Sequence, residues 1–210
     1  MMEYTKPKNF KFCQISIYLA NRSLIEISQI INDPSTDNSP ISKSDTFRFY
    51  LFTLHYTFIL ELTKMMEKDD NSTTNHFASL EKLNKKISNI VGKSFIEVAE
   101  KNNNIIKRLR ELPIIKKLLV LRDSKVAHID SKNYLNPHSF EWFSSVEIYE
   151  LFEVLDNILT IINNCLTPYT DQFILNKFSR TANLLSFNEE YRSFAHTRFK
   201  EFWSWKNSRK

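Results

Sequence analysis

One glycine, Gly92, serves the whole chain of 210 residues. A sheet protein of this length needs several glycines, because hairpin turns and bulges call for backbone angles that other residues resist. The shortage therefore points to an all-α fold. Hydrophobic residues make up 42% and aromatic residues 13%. That is enough apolar material for one substantial core, and it excludes an intrinsically disordered chain. No internal repeat and no low-complexity segment interrupts the sequence.

Turn residues divide the chain into helices. A first helix is expected over about 10–31, with Phe12, Ile15, Leu19 and Ile30 on one face and no glycine or proline between them. The run 32–40 is rich in Asn, Asp, Ser and Pro and reads as a loop. Ser44 or Asp45 is placed to cap a second helix reaching about Lys68. After a polar loop at 69–74, a third helix over about 77–90 ends at Gly92, a suitable C-cap residue. The segment 94–127 holds Pro113 near its middle, so it either kinks there or divides into two helices with the second starting at Pro113. A loop at 130–139 precedes a helix over about 144–166, stopped by Thr167-Pro168. The expected architecture is an antiparallel helical bundle over 1–168. Residues 169–210 are expected to form an aromatic-rich basic helical extension packed on the same bundle.

Several function classes fall away. Cys13 and Cys165 are isolated, and the five histidines show no ligand spacing, so neither a metal site nor a cofactor is expected. There is no glycine-rich phosphate loop and no nucleophile elbow. The most apolar stretch, 47–62, is short for a membrane span and contains Arg48, His55 and Glu61. The N-terminus lacks the apolar run of a signal peptide. A cytoplasmic protein without membrane contact is expected.

The charge is unevenly spread. The net charge is +5, yet 101–125 alone holds eight Lys or Arg against Glu111 and Asp123. The rest of the chain is thus about neutral. Such a stretch suits a polyanion, although a solvated helix face gives the same pattern. Lys116 and Lys117 lie within it. A second candidate surface is 189–210, where Tyr191, Phe194, Phe199, Phe202, Trp203 and Trp205 alternate with charges. Bases stack on exposed aromatics, but Tyr191, Phe194, Phe202 and Trp205 share one helical arc of about 80°, which favours core packing.

On a helix turning about 100° per residue, Ile115, Leu118, Leu119, Arg122 and Val126 form one apolar stripe. A guanidinium there has to be paired with an acid from a neighbouring helix, or to snorkel out, or to open onto a cleft or interface. His128 falls about 120° away from Arg122 on a continuous helix. The two converge only if the helix ends near Ala127, or if two subunits share one cleft.

The string Arg122-Asp123-Ser124-Lys125-Val126-Ala127-His128 resembles the signature of the HEPN superfamily: Arg, a polar residue, then His a few residues on. With Leu121 before it and Ile129-Asp130 after it, it is most similar to the abortive-infection, AbiU-like branch. The helix order and the acidic turn at Lys68-Asp69-Asp70, followed by Ser79-Leu80-Glu81-Lys82-Leu83, fit that branch, and the resemblance covers about 10–165. It implies a metal-independent endoribonuclease of a phage-defence or toxin type, in which the RNA 2′-hydroxyl attacks the adjacent phosphate. His128 would serve as acid or base, Arg122 would bind the phosphoryl oxygens, and Asp123 would orient one of them. Ser124 and Lys125, with Lys116 and Lys117, would contact RNA, and Asp130 would either fix the His128 tautomer or cap the following turn. The resemblance also implies a homodimer with the two motifs facing each other, and an antitoxin protein as a partner. Two departures stand out. Asp123 occupies a position where the branch often has Asn, and Asp130 stands where one sister branch, paired with a nucleotidyltransferase antitoxin, has Tyr. The alternatives are a non-catalytic HEPN-like module that binds RNA or protein, and a purely structural helical module.

Overall fold

The computed structural model describes residues 6–32, 44–68, 78–123, 143–169 and 173–174. All of them belong to one unit, Met1–Leu175; the second unit, Asn176–Lys210, lies outside the described residues. So do the expected loops at 33–40, 69–74 and 130–139 and the expected C-terminal extension, apart from Tyr169, Phe173 and Ile174.

Six α-helices make up the described fold: α1 (Lys8–Asn32), α2 (Asp45–Met66), α3 (Leu80–Val91), α4 (Ile96–Glu111), α5 (Pro113–Leu121) and α6 (Ser145–Leu166). Short 3-10 turns join α3 to α4 and follow α6. No strand occurs among the described residues. None of the described helices is long and apolar enough to cross a membrane.

The helix ends follow local chemistry. Ser44 accepts from the Phe47 N–H and starts α2. Ser79 does the same for α3 through Lys82 N–H. Ser144 and Glu147 form a reciprocal capping box at the start of α6. Pro113 opens α5 rather than kinking a longer helix, because the first helical position needs no N–H donor. Gly92 closes α3 with φ +75° and ψ −144°, a conformation open to glycine and strained for any L side chain. A Cβ there would meet nothing within 4 Å, so the need for glycine is one of backbone alone. The single glycine thus sits at a turn whose backbone angles only glycine takes easily.

Side-chain pairs give the helix directions. Ser16 near the start of α1 bonds Glu61 near the end of α2, and Glu26 near the end of α1 accepts from Tyr50 near the start of α2. These two helices are therefore antiparallel. Ser145 at the start of α6 reaches Asn32 at the end of α1. The buried core draws on every helix, including Ile17 and Leu24 of α1, Phe58 and Leu62 of α2, Leu83 and Ile87 of α3, Ile106 of α4, Leu118 of α5 and Ile158 of α6.

The face of α1 that packs differs from the expected one. Phe12, Ile15 and Leu19 are exposed, whereas Phe10, Cys13, Ile17, Ala20, Leu24 and Ile27 are buried. The helix has two apolar stripes. The buried one also carries Ser16, Ala20 and Ser23, small residues that let neighbouring helices approach closely.

A polar network crosses the interior. Asn102 of α4, fully buried, donates to Asn84 Oδ1 of α3 at 3.0 Å and to Cys165 Sγ of α6 at 3.6 Å. It accepts from Asn164 Nδ2 at 2.8 Å. Asn84 donates in turn to Ala99 O and to Asn103 Oδ1. These bonds set the register of three helices, since the amides are met only in one alignment. Cys165 and Cys13 are both free thiols, and burial pushes both up, Cys165 to about 12. Neither is a nucleophile at neutral pH.

Candidate functional site

The site is built where α5 meets the end of α2. Leu118 is buried and Leu119 partly so, which turns the next residue of the stripe, Arg122, toward the bundle. α5 closes at Leu121 with Arg122 as its C-cap. The Arg122 N–H is shared between the Leu118 and Leu119 carbonyls, a three-centre bond common at helix ends. Helical winding continues through Arg122 and Asp123 as a π turn, and the expected helix end near Ala127 lies outside the described residues.

The Arg122 side chain keeps 23% of its exposure and bonds two carboxylates. Its Nη1 donates to Glu67 Oε1 at 2.5 Å, and its Nε donates to Asp123 Oδ1 at 2.8 Å. The pairing with an acid from a neighbouring helix meets the burial cost within one chain. A second subunit is not required to explain an Arg on an apolar stripe.

Glu67 is itself held firmly. It is the C-cap of α2, and its backbone carbonyl accepts from Arg110 Nη2 at 2.7 Å and from Ser79 Oγ at 2.9 Å. Arg110 Nε also donates to Met66 O at 2.7 Å, and Nη2 pairs with Glu81 at 2.9 Å. One guanidinium from α4 thus caps the end of α2 and ties it to α3. Neither residue stands out in the sequence as part of a site. A signal was present: an acid at a helix C-terminus opposes the helix dipole, so Glu67 needed a local cation.

The predicted site residues divide into three groups. Arg122 and Asp123 are brought together. Lys116 and Lys117 are not beside them: Lys116 pairs with Glu111 and Lys117 with Glu147, each at 2.6 Å. The Lys116 pair is largely exposed and contributes little, so that ammonium is easily surrendered to another anion. Burial works to raise the Glu147 carboxyl, but hydrogen bonds from Lys117 and Ser144 outweigh it and hold it below the usual carboxylate range. His128, Ser124 and Lys125 lie outside the described residues, as does Asp130. Among the described residues no group of His, Cys, Asp and Glu is arranged to hold a metal ion.

His55 is the other titratable group of note; it lies in the most apolar stretch, 47–62, which is a core helix, but its partners are not visible in the sequence. It is fully buried on α2, and its ring packs on Phe143 with centroids 4.7 Å apart. Nδ1–H donates to Leu51 O at 2.9 Å, and Nε2 accepts from Phe143 N–H at 3.5 Å. Those partners assign a neutral imidazole with the proton on Nδ1. Burial pulls its pKa down to about 4 from 6.5, against a smaller upward pull from the Leu51 hydrogen bond. Between those values the unfolded chain binds the extra proton, so His55 favours the fold fully above pH 6.5 and loses that contribution as pH falls toward 4. The loss is on the order of 3 kcal/mol. His55→Asn protein, unable to titrate there, is expected to show a shallower decline of unfolding free energy over that window. Parallel declines in urea melts of the two proteins would exclude His55 as the cause.

A family model described as AbiU2, of the HEPN class, matches residues 20–185. Neither a curated protein nor a solved structure matches the chain. The matched span runs from within α1 past the end of α6 and takes in Glu67, Arg110, Arg122, Asp123 and the whole Arg122-to-His128 string, so the chain belongs to the AbiU2 family, the abortive-infection branch of the HEPN domains.

Proposed function

We propose that this protein is a metal-independent endoribonuclease of a phage-defence or toxin type, acting through Arg122 and His128. The observation that carries the reading is Arg122 itself: a mostly buried guanidinium at the end of a helix, bonded to two carboxylates, six residues before a histidine in a HEPN-family chain. In this reading the RNA 2′-hydroxyl attacks the adjacent phosphorus and the 5′-oxygen leaves, giving a 2′,3′-cyclic phosphate and a 5′-hydroxyl. His128 moves the proton, since an imidazole exchanges protons near neutral pH. Arg122 meets the charge that develops on the phosphoryl oxygens. Asp123 orients Arg122, in keeping with the 2.8 Å bond between them. Lys116, Lys117, Ser124 and Lys125 bind the RNA backbone. Two subunits bring their motifs together, and an antitoxin protein restrains the activity in a cytoplasmic setting.

The test is RNA cleavage in the presence of a chelator by wild-type and His128→Ala protein. Cleavage by the first and a loss of about 10²–10⁴-fold in the second is the expected result. Equal cleavage by both would remove His128 from the mechanism. The second reading, a binding module without catalysis, is favoured by the exposed lysines of the 101–125 stretch. It expects RNA binding that weakens steeply with salt and no cleavage by either protein.

A further inference from the structure

We infer that Glu67 is a positioning residue for the reaction, holding the Arg122 guanidinium in the one orientation that serves the phosphate. This rests on the ribonuclease reading above and adds to it a residue 55 positions away in sequence.

Three observations point the same way. First, the Glu67–Arg122 contact is short, at 2.5 Å, and both side chains are mostly buried, with 18% and 23% exposure. Second, the Glu67 backbone is clamped by Arg110 and by Ser79, so the carboxylate stands on a fixed base rather than on a loose helix end. Third, Glu67 and Asp123 engage different nitrogens of Arg122, Nη1 and Nε. Two anchors on a planar fork fix its plane and its rotation about the last bond, and three of its five N–H donors remain for an anion.

An arginine stays protonated without help, so Glu67 is not needed to keep Arg122 charged. Two carboxylates beside a phosphate-binding group also weaken its pull on an anion. What Glu67 adds is direction. Donors already aimed at the developing charge need no reorganisation at the moment of reaction, and that advantage is large.

The experiment compares wild-type, Glu67→Ala and Glu67→Gln full-length proteins on the same RNA, with rates taken per folded molecule. Glu67→Ala is expected to lower kcat about 10²-fold, the effect of a displacement of about 1 Å, with KM changed far less. Glu67→Gln keeps a carbonyl acceptor in the same place and recovers most of the rate. A merely structural role would lower the folded fraction in Glu67→Ala but leave kcat per folded molecule unchanged, and that result overturns the inference. Faster cleavage by Glu67→Ala also overturns it, by making the carboxylate a brake. Absence of cleavage by wild type refutes the ribonuclease reading itself, and the role of Glu67 with it.

Discussion

Alanine at Arg122 is expected to lower RNA cleavage by about 10²–10³-fold and to cost the fold about 1–3 kcal/mol. The two losses have separate origins. On the proposed mechanism, cleavage falls because the donors that meet the phosphoryl charge are gone. Stability falls because the Glu67 carboxylate, 18% exposed and paired at 2.5 Å, loses its cation. A fully buried pair would cost more when broken, but the remaining exposure of both partners lets water take up part of the burden. Arg122→Lys separates the two effects. Lysine keeps the charge and so preserves much of the stability, but it has no planar fork and cannot engage Glu67, Asp123 and a phosphate together. Its cleavage should stay low. Urea melts and initial rates measured on all three proteins check both halves. Wild-type cleavage by Arg122→Lys would show that charge alone suffices.

The largest purely structural effect is expected at Asn102. Asn102→Ala removes the hub of the interior network, leaving Asn84 Oδ1 without its 3.0 Å donor and Asn164 Nδ2 without its 2.8 Å acceptor. It also leaves a small void at a position with no exposure. Stranded buried polar groups and a void together cost about 2–4 kcal/mol. For a chain of this size that is a fall in Tm of roughly 4–16 °C. Calorimetry or chemical denaturation reads it directly. A change under about 0.5 kcal/mol, the range of ordinary surface substitutions, would mean that the network carries no stability.

Much of the fold was legible because its signals are local. The lone glycine marked the end of α3, where only glycine takes the backbone angles comfortably. Ser44 and Ser144 marked the starts of α2 and α6, and Pro113 resolved as the start of α5. What escaped depends on partners distant in sequence. The buried face of α1 could not be chosen from periodicity, because the helix has two apolar stripes and only the neighbouring helices decide between them. Glu67 and Arg110 looked like ordinary surface charges until tertiary contacts joined them to α5 and to the end of α2. The burial of His55 was readable from its apolar stretch, but its partner Phe143, 88 residues away, was not. At the site, the stripe placed Arg122 correctly against the bundle, while nothing local identified the acid it meets.

In the proposed reaction RNA supplies its own nucleophile and this chain's side chains do the rest. The most direct measurement uses two oligonucleotides in the presence of a chelator, one all-RNA and one with a single 2′-deoxy nucleotide on the 5′ side of the cleaved bond. The all-RNA strand is expected to be cut, leaving a 2′,3′-cyclic phosphate and a 5′-hydroxyl, while the deoxy bond stays intact. Cleavage of the deoxy bond, 5′-phosphate products, or no cleavage of either strand would contradict it.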